Sequence, residues 1–218
     1  MQGGELYTRA VSRFPAARFL KSAATPAQFP ADSGVEIAFA GRSNAGKSSA
    51  INALTARRAL ARVSKTPGRT RLLNFFELAP GRRLVDLPGY GYAAGPEVDR
   101  INWAALIEAL RKRRSLAGLM LIVDARRGLR PEDMALVHWA EGLPVHVLLS
   151  KVDKLSRREA SDALRSATAA LGERAGVQLF SSVTHEGIDA ARRVIEAWIA
   201  GERGIKNPGD LGEVTGGD

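Results

Sequence analysis

The sequence predicts an α/β fold with a mixed, mostly parallel sheet of six to seven strands, one of them antiparallel, and helices on both faces. From Val35 onward, short apolar runs alternate with segments of helical periodicity, which is typical of a parallel sheet covered on both sides. Two of the apolar runs are separated only by Ala79–Gly81, and so short a connection favours an antiparallel hairpin. The chain of 218 residues is long enough for one sizeable core.

The predicted elements follow in chain order. Prolines interrupt residues 1–34, which we treat as an N-terminal extension with Phe19–Leu20 as a candidate edge strand. Apolar runs predict strands at 35–40, 72–78, 82–86, 118–124, 145–149 and 177–180. Periodicity, Pro131 and the cap residue Ser156 predict helices at 49–54, 99–114, 131–141, 156–171 and 187–200. One domain therefore spans 35–201, and the Gly-rich, polar residues 202–218 predict a disordered tail.

Residues 41–48 carry the spacing G-x-x-x-x-G-K-[ST] between a predicted strand and a predicted helix. In that context the backbone amides of the loop and the helix N-terminus can surround a phosphate chain. Lys47 can reach the β- and γ-phosphates, and the Ser48 hydroxyl suits Mg²⁺. The predicted phosphate loop consists of Gly41, Arg42, Ser43, Asn44, Ala45, Gly46, Lys47 and Ser48.

A second motif, Asp86-Leu87-Pro88-Gly89, ends a predicted strand about forty residues later. The Asp86 carboxylate can hold a water on Mg²⁺, and the Gly89 amide can meet a γ-phosphate. In isolation the tetrapeptide would fit a plain turn. Its position after a phosphate loop favours the nucleotide interpretation.

Two further loops predict recognition of the base. Ser150-Lys151-Val152-Asp153 follows a predicted strand, and a carboxylate at Asp153 can accept from guanine N1–H and its 2-amino group, which adenine lacks. The stem of Lys151 can lie over the base. Phe180-Ser181-Ser182 ends the last strand, where small residues let amides approach guanine O6. A capping aspartate and a simple strand end are the competing interpretations.

The polar, basic segment 64–71 contains two threonines that could complete the Mg²⁺ shell when a γ-phosphate is present. We favour Thr70 over Thr66, because Thr70 abuts the predicted strand that would fix its position. Arg69 and Arg71 are candidates for an arginine finger, although contacts with solvent or RNA explain them better.

Taken together, Gly41–Ser49, Lys65–Thr70, Asn74–Phe76 and Asp86–Tyr92 resemble the EngB (YihA/YsxC) family of bacterial ribosome-assembly GTPases, within the TrmE–Era–EngA–EngB–Septin-like group. The resemblance covers about residues 10–203. It implies a Ras-like GTPase domain, Mg²⁺ held by Ser48 and Thr70, and a role in large ribosomal subunit maturation, cell division and septation. It also implies GTP or GDP contacts from 41–48, 86–89, 150–153 and 180–182, and from Gly68, Arg69, Thr70, Arg71 and Leu72.

Three positions qualify this resemblance. Ser150 stands where the family usually has threonine, and it keeps the hydroxyl. Tyr90 stands where Ras-like proteins have the glutamine that orients the attacking water, so we predict slow intrinsic hydrolysis assisted by Lys47, Thr70 and Mg²⁺. Asn44 matches the asparagine that helps hold K⁺ in K⁺-activated GTPases, and it equally fits a turn residue with no ion.

The composition bounds the setting of this chemistry. The net charge of +9 and pI of about 10.4 suggest a polyanionic partner, either nucleic acid or an anionic membrane surface, although a generally basic composition explains them equally well. The resemblance implies that this partner is the large ribosomal subunit or its RNA. The absence of cysteine and of an apolar run long enough for a membrane predicts a cytoplasmic protein with no transmembrane segment, and we expect a monomer. Two alternatives stay open: an RNA-binding module in which GTP is mainly structural, and an ATP-using P-loop enzyme.

Overall fold

We analysed a computed structural model of the chain, which describes residues 13–61, 72–90 and 97–202. Within these ranges the chain forms one seven-stranded sheet in the order β1-β3-β4-β2-β5-β6-β7. The strands are β1 Arg18–Ala23, β2 Val35–Gly41, β3 Leu73–Ala79, β4 Arg82–Asp86, β5 Leu116–Asp124, β6 Val145–Ser150 and β7 Gly176–Leu179. Only β3 runs against the others, because it pairs antiparallel with both β1 and β4 while the remaining pairs are parallel.

Five α-helices in the described ranges cover the two faces of this sheet. They are α1 Lys47–Thr55, α2 Glu97–Arg111, α3 Pro131–Trp139, α4 Arg157–Leu171 and α5 Ile188–Ala200. The helices α1 and α5 pack on one face, where Leu54 and Trp198 are fully buried. The helices α2, α3 and α4 contribute Leu110, Leu136 and Leu171 to the core on the other face. The predicted α/β architecture, with helices on both faces and one antiparallel strand, is confirmed.

The ends of the elements differ from the sequence predictions by a few residues. The helix α2 stops at Arg111, three residues early, and β5 begins at Leu116, two residues early. The cap at Ser156 is present, since Glu159 N donates to Ser156 Oγ and Ser156 N donates to Glu159 Oε2. Phe19 and Leu20 lie in β1, at one edge of the sheet. The predicted tail from residue 203 onward lies outside the described residues.

The sheet topology sets the place of the functional loops. The strand β2 lies between β4 and β5, so the carboxyl ends of β2, β4, β5, β6 and β7 meet at the same edge. Ligands of open α/β sheets bind at that edge. In the part of the chain that the structure describes, no helix combines the length and apolarity that a membrane span requires.

Candidate functional site

The phosphate loop leaves β2 at Gly41 and enters α1 at Lys47. A side chain at position 41 would place Cβ 2.7 Å from the carbonyl oxygen of Ile122, so only glycine fits beside β5. Gly46 has a φ of +104° and Asn44 a φ of +62°, which turn the chain back toward the start of the helix. The loop therefore turns back so that it leads directly into the N-terminus of α1, where an anion is favoured.

Lys47 forms an ion pair with Asp86, which ends the neighbouring strand β4. Both side chains are about one-tenth exposed. The pairing follows from topology, because β2 and β4 are adjacent and parallel and Leu87 N donates to Phe39 O at 2.9 Å. The two sequence motifs predicted to hold phosphate and Mg²⁺ are thus brought into direct contact.

The segment Asp86–Tyr90 continues across the phosphate loop. Ser43 N donates to Tyr90 O at 3.1 Å, and Arg42 and Tyr90 form an isolated parallel bridge. A Cβ at Gly89 would lie 3.3 Å from Ser43 N, which shows how closely the two backbones approach. The Tyr90 hydroxyl donates to the carboxylate of Asp133, in the first turn of α3. Burial raises the pKa of Tyr90 and also that of Asp133.

The loop after β6 is tied to the phosphate loop by two side chains. Ser150 Oγ lies 2.5 Å from Ala45 O and 3.1 Å from Val123 O. Lys151 has a φ of +63°, and its Nζ donates to Asn44 O at 2.5 Å. The hydroxyl of Ser150 therefore links the loop after β6 to the phosphate loop.

Asp153 and Ser181 connect the loops that follow β6 and β7. Ser181 Oγ donates to Asp153 Oδ1 at 2.7 Å and accepts from Val183 N and Thr184 N, each at 3.1 Å. The hydroxyl of Ser181 lowers the pKa of Asp153, so this carboxylate is ionised near neutral pH and able to accept hydrogen bonds. Phe180 and Ser182 flank Ser181, and Val152 N lies 3.4 Å from Phe180 O.

Asp124, at the end of β5, is a residue of this region that the sequence analysis missed. Its carboxylate accepts from Lys151 Nζ at 2.9 Å and from Arg126 Nε and Nη2 at 2.9 and 2.7 Å. Burial alone would raise the pKa of Asp124, but the hydrogen bonds from Arg126 and Lys151 outweigh it and hold the pKa well below its ordinary value. The sequence feature that could have indicated Asp124 is its position as an acidic residue at the end of a long apolar run.

The predicted site residues thus divide into two groups. The structure brings residues 41–48, 86–89, 150–153 and 180–182 to one edge of the sheet. Leu72 directly precedes β3. Gly68, Arg69, Thr70 and Arg71, together with the competing Thr66, lie outside the described residues.

This fold, with a phosphate loop after its central strand and an aspartate–glycine segment after the adjacent one, defines a P-loop GTPase. A family model described as 50S ribosome-binding GTPase matches residues 36–151. A probable GTP-binding protein EngB of Nitrosococcus oceani is 50% identical over 194 residues, covering 86% of this chain and 97% of that protein. Its counterpart in Aromatoleum aromaticum is 53% identical over 192 residues, covering 85% and 89%.

The chain therefore belongs to the EngB family of GTP-binding proteins, and it is a GTPase. A solved crystal structure of a probable GTP-binding protein EngB has a TM-score of 0.62 with this chain at 24% identity. The likeness covers 77% of this chain and 100% of that one, and at this identity it shows the fold.

Proposed function

We propose that this GTPase acts as a nucleotide-dependent switch in large ribosomal subunit assembly, linked to cell division and septation. We place it in the cytoplasm as a monomer, and the absence of cysteine fits a reducing compartment. The matching family model is described by its binding to the 50S ribosome, which supports the partner. The net charge of +9 supports a polyanionic partner of that kind.

The proposal depends chiefly on where the cations beside the phosphate loop lie. Arg42, Arg127 and Arg130 line one cleft beside the phosphate loop and α3. No ion pair links any of the three to another residue in the ranges that the structure describes. Phosphate contacts dominate binding to RNA, so arginines beside a nucleotide-contacting loop can connect the GTP state to RNA affinity.

Part of the basic sequence has a different role. Two of the four consecutive cations at 111–114 make contacts within the protein: Arg111 donates to Trp139 O at 2.9 Å, and Arg113 pairs with buried Glu36. Arg57 donates to Pro15 O. The cations that stay on the exposed surface are the ones we assign to RNA. They include Arg58, Arg114, Arg127, Arg157 and Arg158.

For the nucleotide we propose the sites predicted from the sequence. Residues 41–48 bind the phosphates and Asp153 selects guanine. Ser48 and Thr70 would hold Mg²⁺, with Asp86 acting through water. The hydroxyl of Ser48 on α1 and the carboxylate of Asp86 on β4 supply hard oxygen atoms, which Mg²⁺ prefers as ligands. When bound, the ion would offset charge that develops on the phosphates.

Hydrolysis is proposed to be slow, because Tyr90 replaces the glutamine and its hydroxyl is directed at Asp133. Lys47, Thr70 and Asn44 are the proposed catalytic contributors, with K⁺ beside Asn44. Asn44 is exposed, so it is accessible to an ion from solvent. Hydrolysis in KCl should then exceed that in NaCl at equal ionic strength, and equal rates would remove the K⁺ assignment.

Co-sedimentation with purified large ribosomal subunits tests the switch. Binding should be stronger with a non-hydrolysable GTP analogue than with GDP, and Arg127→Ala should weaken it while leaving GDP affinity unchanged. Subunits that bind equally well with both nucleotides would instead favour the alternative, a ribosome-binding module in which GTP mainly stabilises the fold. Stimulation of GTP turnover by the subunits would exclude that alternative.

A further inference from the structure

Tyr90 and Asp133 form a side-chain hydrogen bond that none of the nucleotide motifs accounts for. Asp133 lies in the first turn of α3, forty-three residues beyond Tyr90, and is only 1% exposed. One of its carboxylate oxygens accepts from the Tyr90 hydroxyl, and the other accepts from Arg130 N at 2.7 Å. Both oxygens are thus used, and the phenol is anchored to the end of a helix.

The backbone of the anchored residue lies against the phosphate loop. Tyr90 O accepts from Ser43 N at 3.1 Å, and Gly89 approaches Ser43 so closely that a Cβ there would be 3.3 Å from its backbone nitrogen. A phenol held at Asp133 therefore limits where Gly89 and Tyr90 can move relative to the loop. The same arrangement occupies the Ser43 amide, which belongs to the predicted phosphate loop.

GTP and GDP make different demands on this segment. The third phosphate of GTP adds charge and volume next to Gly89, so GTP must fit beside the closely packed 86–90 segment. GDP lacks that phosphate and does not make this demand. A hydrogen bond that fixes the segment therefore costs more free energy to keep with GTP bound than with GDP bound. Such a difference between two states is what shifts the relative affinity for GTP and GDP.

We propose that Asp133 is a positioning residue that acts through Tyr90: their hydrogen bond holds the Asp86–Tyr90 segment against the phosphate loop and lowers the affinity for GTP relative to GDP. The inference uses the GTP binding of the family and is independent of the ribosomal role. A purely structural role, as a helix cap or a packing contact, would change stability and would alter both nucleotide affinities by the same factor.

Tyr90→Phe is the primary test, because it removes the hydroxyl and keeps the ring. Titration calorimetry with GDP and with a non-hydrolysable GTP analogue should show the affinity ratio shifting about three- to tenfold toward the analogue, as expected for one hydrogen bond. Asp133→Ala should shift the ratio similarly. When Asp133→Ala is combined with Tyr90→Phe, the affinity ratio should shift no further than in Tyr90→Phe alone, since Asp133 would have lost the group through which it acts.

Glu132→Gln is the matched control, because it removes a charge one residue away, on an exposed side chain of the same helix turn. It should leave the ratio unchanged. Urea unfolding of each variant verifies that the folded protein is compared. The proposal is overturned if both affinities change by one factor, if Asp133→Ala shifts the ratio without the Tyr90 hydroxyl, or if Glu132→Gln shifts it as much.

Discussion

The two ends of β2 both carry buried charge, but they handle it differently. At the amino end, Glu36 is completely buried, and its carboxylate meets Arg83, Arg113 and Ser115. At the carboxyl end, Lys47 and Asp86 form a pair that is about one-tenth exposed on each side, next to the phosphate loop. The charges at the amino end are held between strands and the end of a helix. The charges at the carboxyl end lie beside the phosphate loop, where a ligand can contact them.

The hydrogen bonds around Glu36 at the amino end of β2 form a closed network. Arg113 donates to Glu36 Oε2 at 2.6 Å and to Oε1 at 2.9 Å, and it also donates to Pro30 O at 3.0 Å. Ser115 Oγ adds a contact of 2.9 Å to Oε2. Arg83 Nε lies 3.1 Å from Oε1 without a hydrogen-bond alignment, so Arg113 carries more of the compensation. This end should therefore determine stability, while the carboxyl end should determine binding.

The largest expected effect follows from breaking the closed network. Arg113→Met removes the best-aligned partner of a fully buried carboxylate, and the free energy of unfolding should fall by about 3 kcal/mol. Urea unfolding measures the loss, and the GDP affinity of the folded protein should stay near that of the unmodified chain. Arg114→Met is the control, since its side chain is exposed and only its backbone contacts Asp32. Equal losses in both variants would contradict the assignment.

The corresponding change at the other end should act on binding. Lys47→Met removes the ammonium that faces Asp86 and the predicted phosphates, so GDP affinity should fall by at least about 100-fold. Calorimetry with GDP and magnesium gives the affinity. Unfolding without nucleotide should show a smaller loss than Arg113→Met, because Asp86 is closer to water than Glu36. A stability loss as large as that of Arg113→Met would erase the contrast between the two ends.

A smaller effect is expected from the link between the two loops at the carboxyl end. Ser150→Ala removes the hydroxyl that contacts Ala45 O and Val123 O, and GDP affinity should fall by about three- to tenfold. Ser150→Thr keeps the hydroxyl, so its affinity should stay close to the starting value. If the Ser150→Ala variant binds GDP as tightly as the unmodified chain, the hydroxyl of Ser150 does not order the phosphate loop.

The smallest effect concerns acid stability at the amino end. The Ser115 hydroxyl lowers the pKa of Asp32 to about 2, aided by the Ser115 amide. A carboxyl with a folded pKa below its unfolded value of about 4 stabilises the fold above pH 4, and that stability is lost as the pH falls toward 2. Asp32 is about one-third exposed, so the loss should stay under about 1 kcal/mol.

Unfolding measured between pH 4 and pH 2 checks this prediction. Asp32→Asn should flatten the pH dependence over that interval, and Ser115→Ala should move it to higher pH because the hydroxyl no longer favours the ionised carboxylate. An unchanged slope in Asp32→Asn would show that other carboxylates account for the acid loss.

The features of this molecule that could be predicted from the sequence are those that depend on residues close together along the chain. The strands at 35–40 and 82–86 and the cap at Ser156 were predictable, because apolar runs, helical periodicity and capping chemistry act over a few residues. The four consecutive cations at 111–114 look equivalent in the sequence, but they differ in the structure. Arg113 belongs to the Glu36 network, and nothing within several residues of either one indicates the other.

The chain by itself therefore determined the phosphate loop, the order of its strands and helices, and the chemical class of the protein. Each of these depends on local spacing, such as the glycines, lysine and serine of residues 41–48 between an apolar run and a helical segment. Only the tertiary structure decided that Lys47 meets Asp86, that Arg113 meets Glu36 and that Tyr90 reaches Asp133. These partners are 39, 77 and 43 residues apart, and they come together because a parallel sheet gathers distant strand ends at common edges.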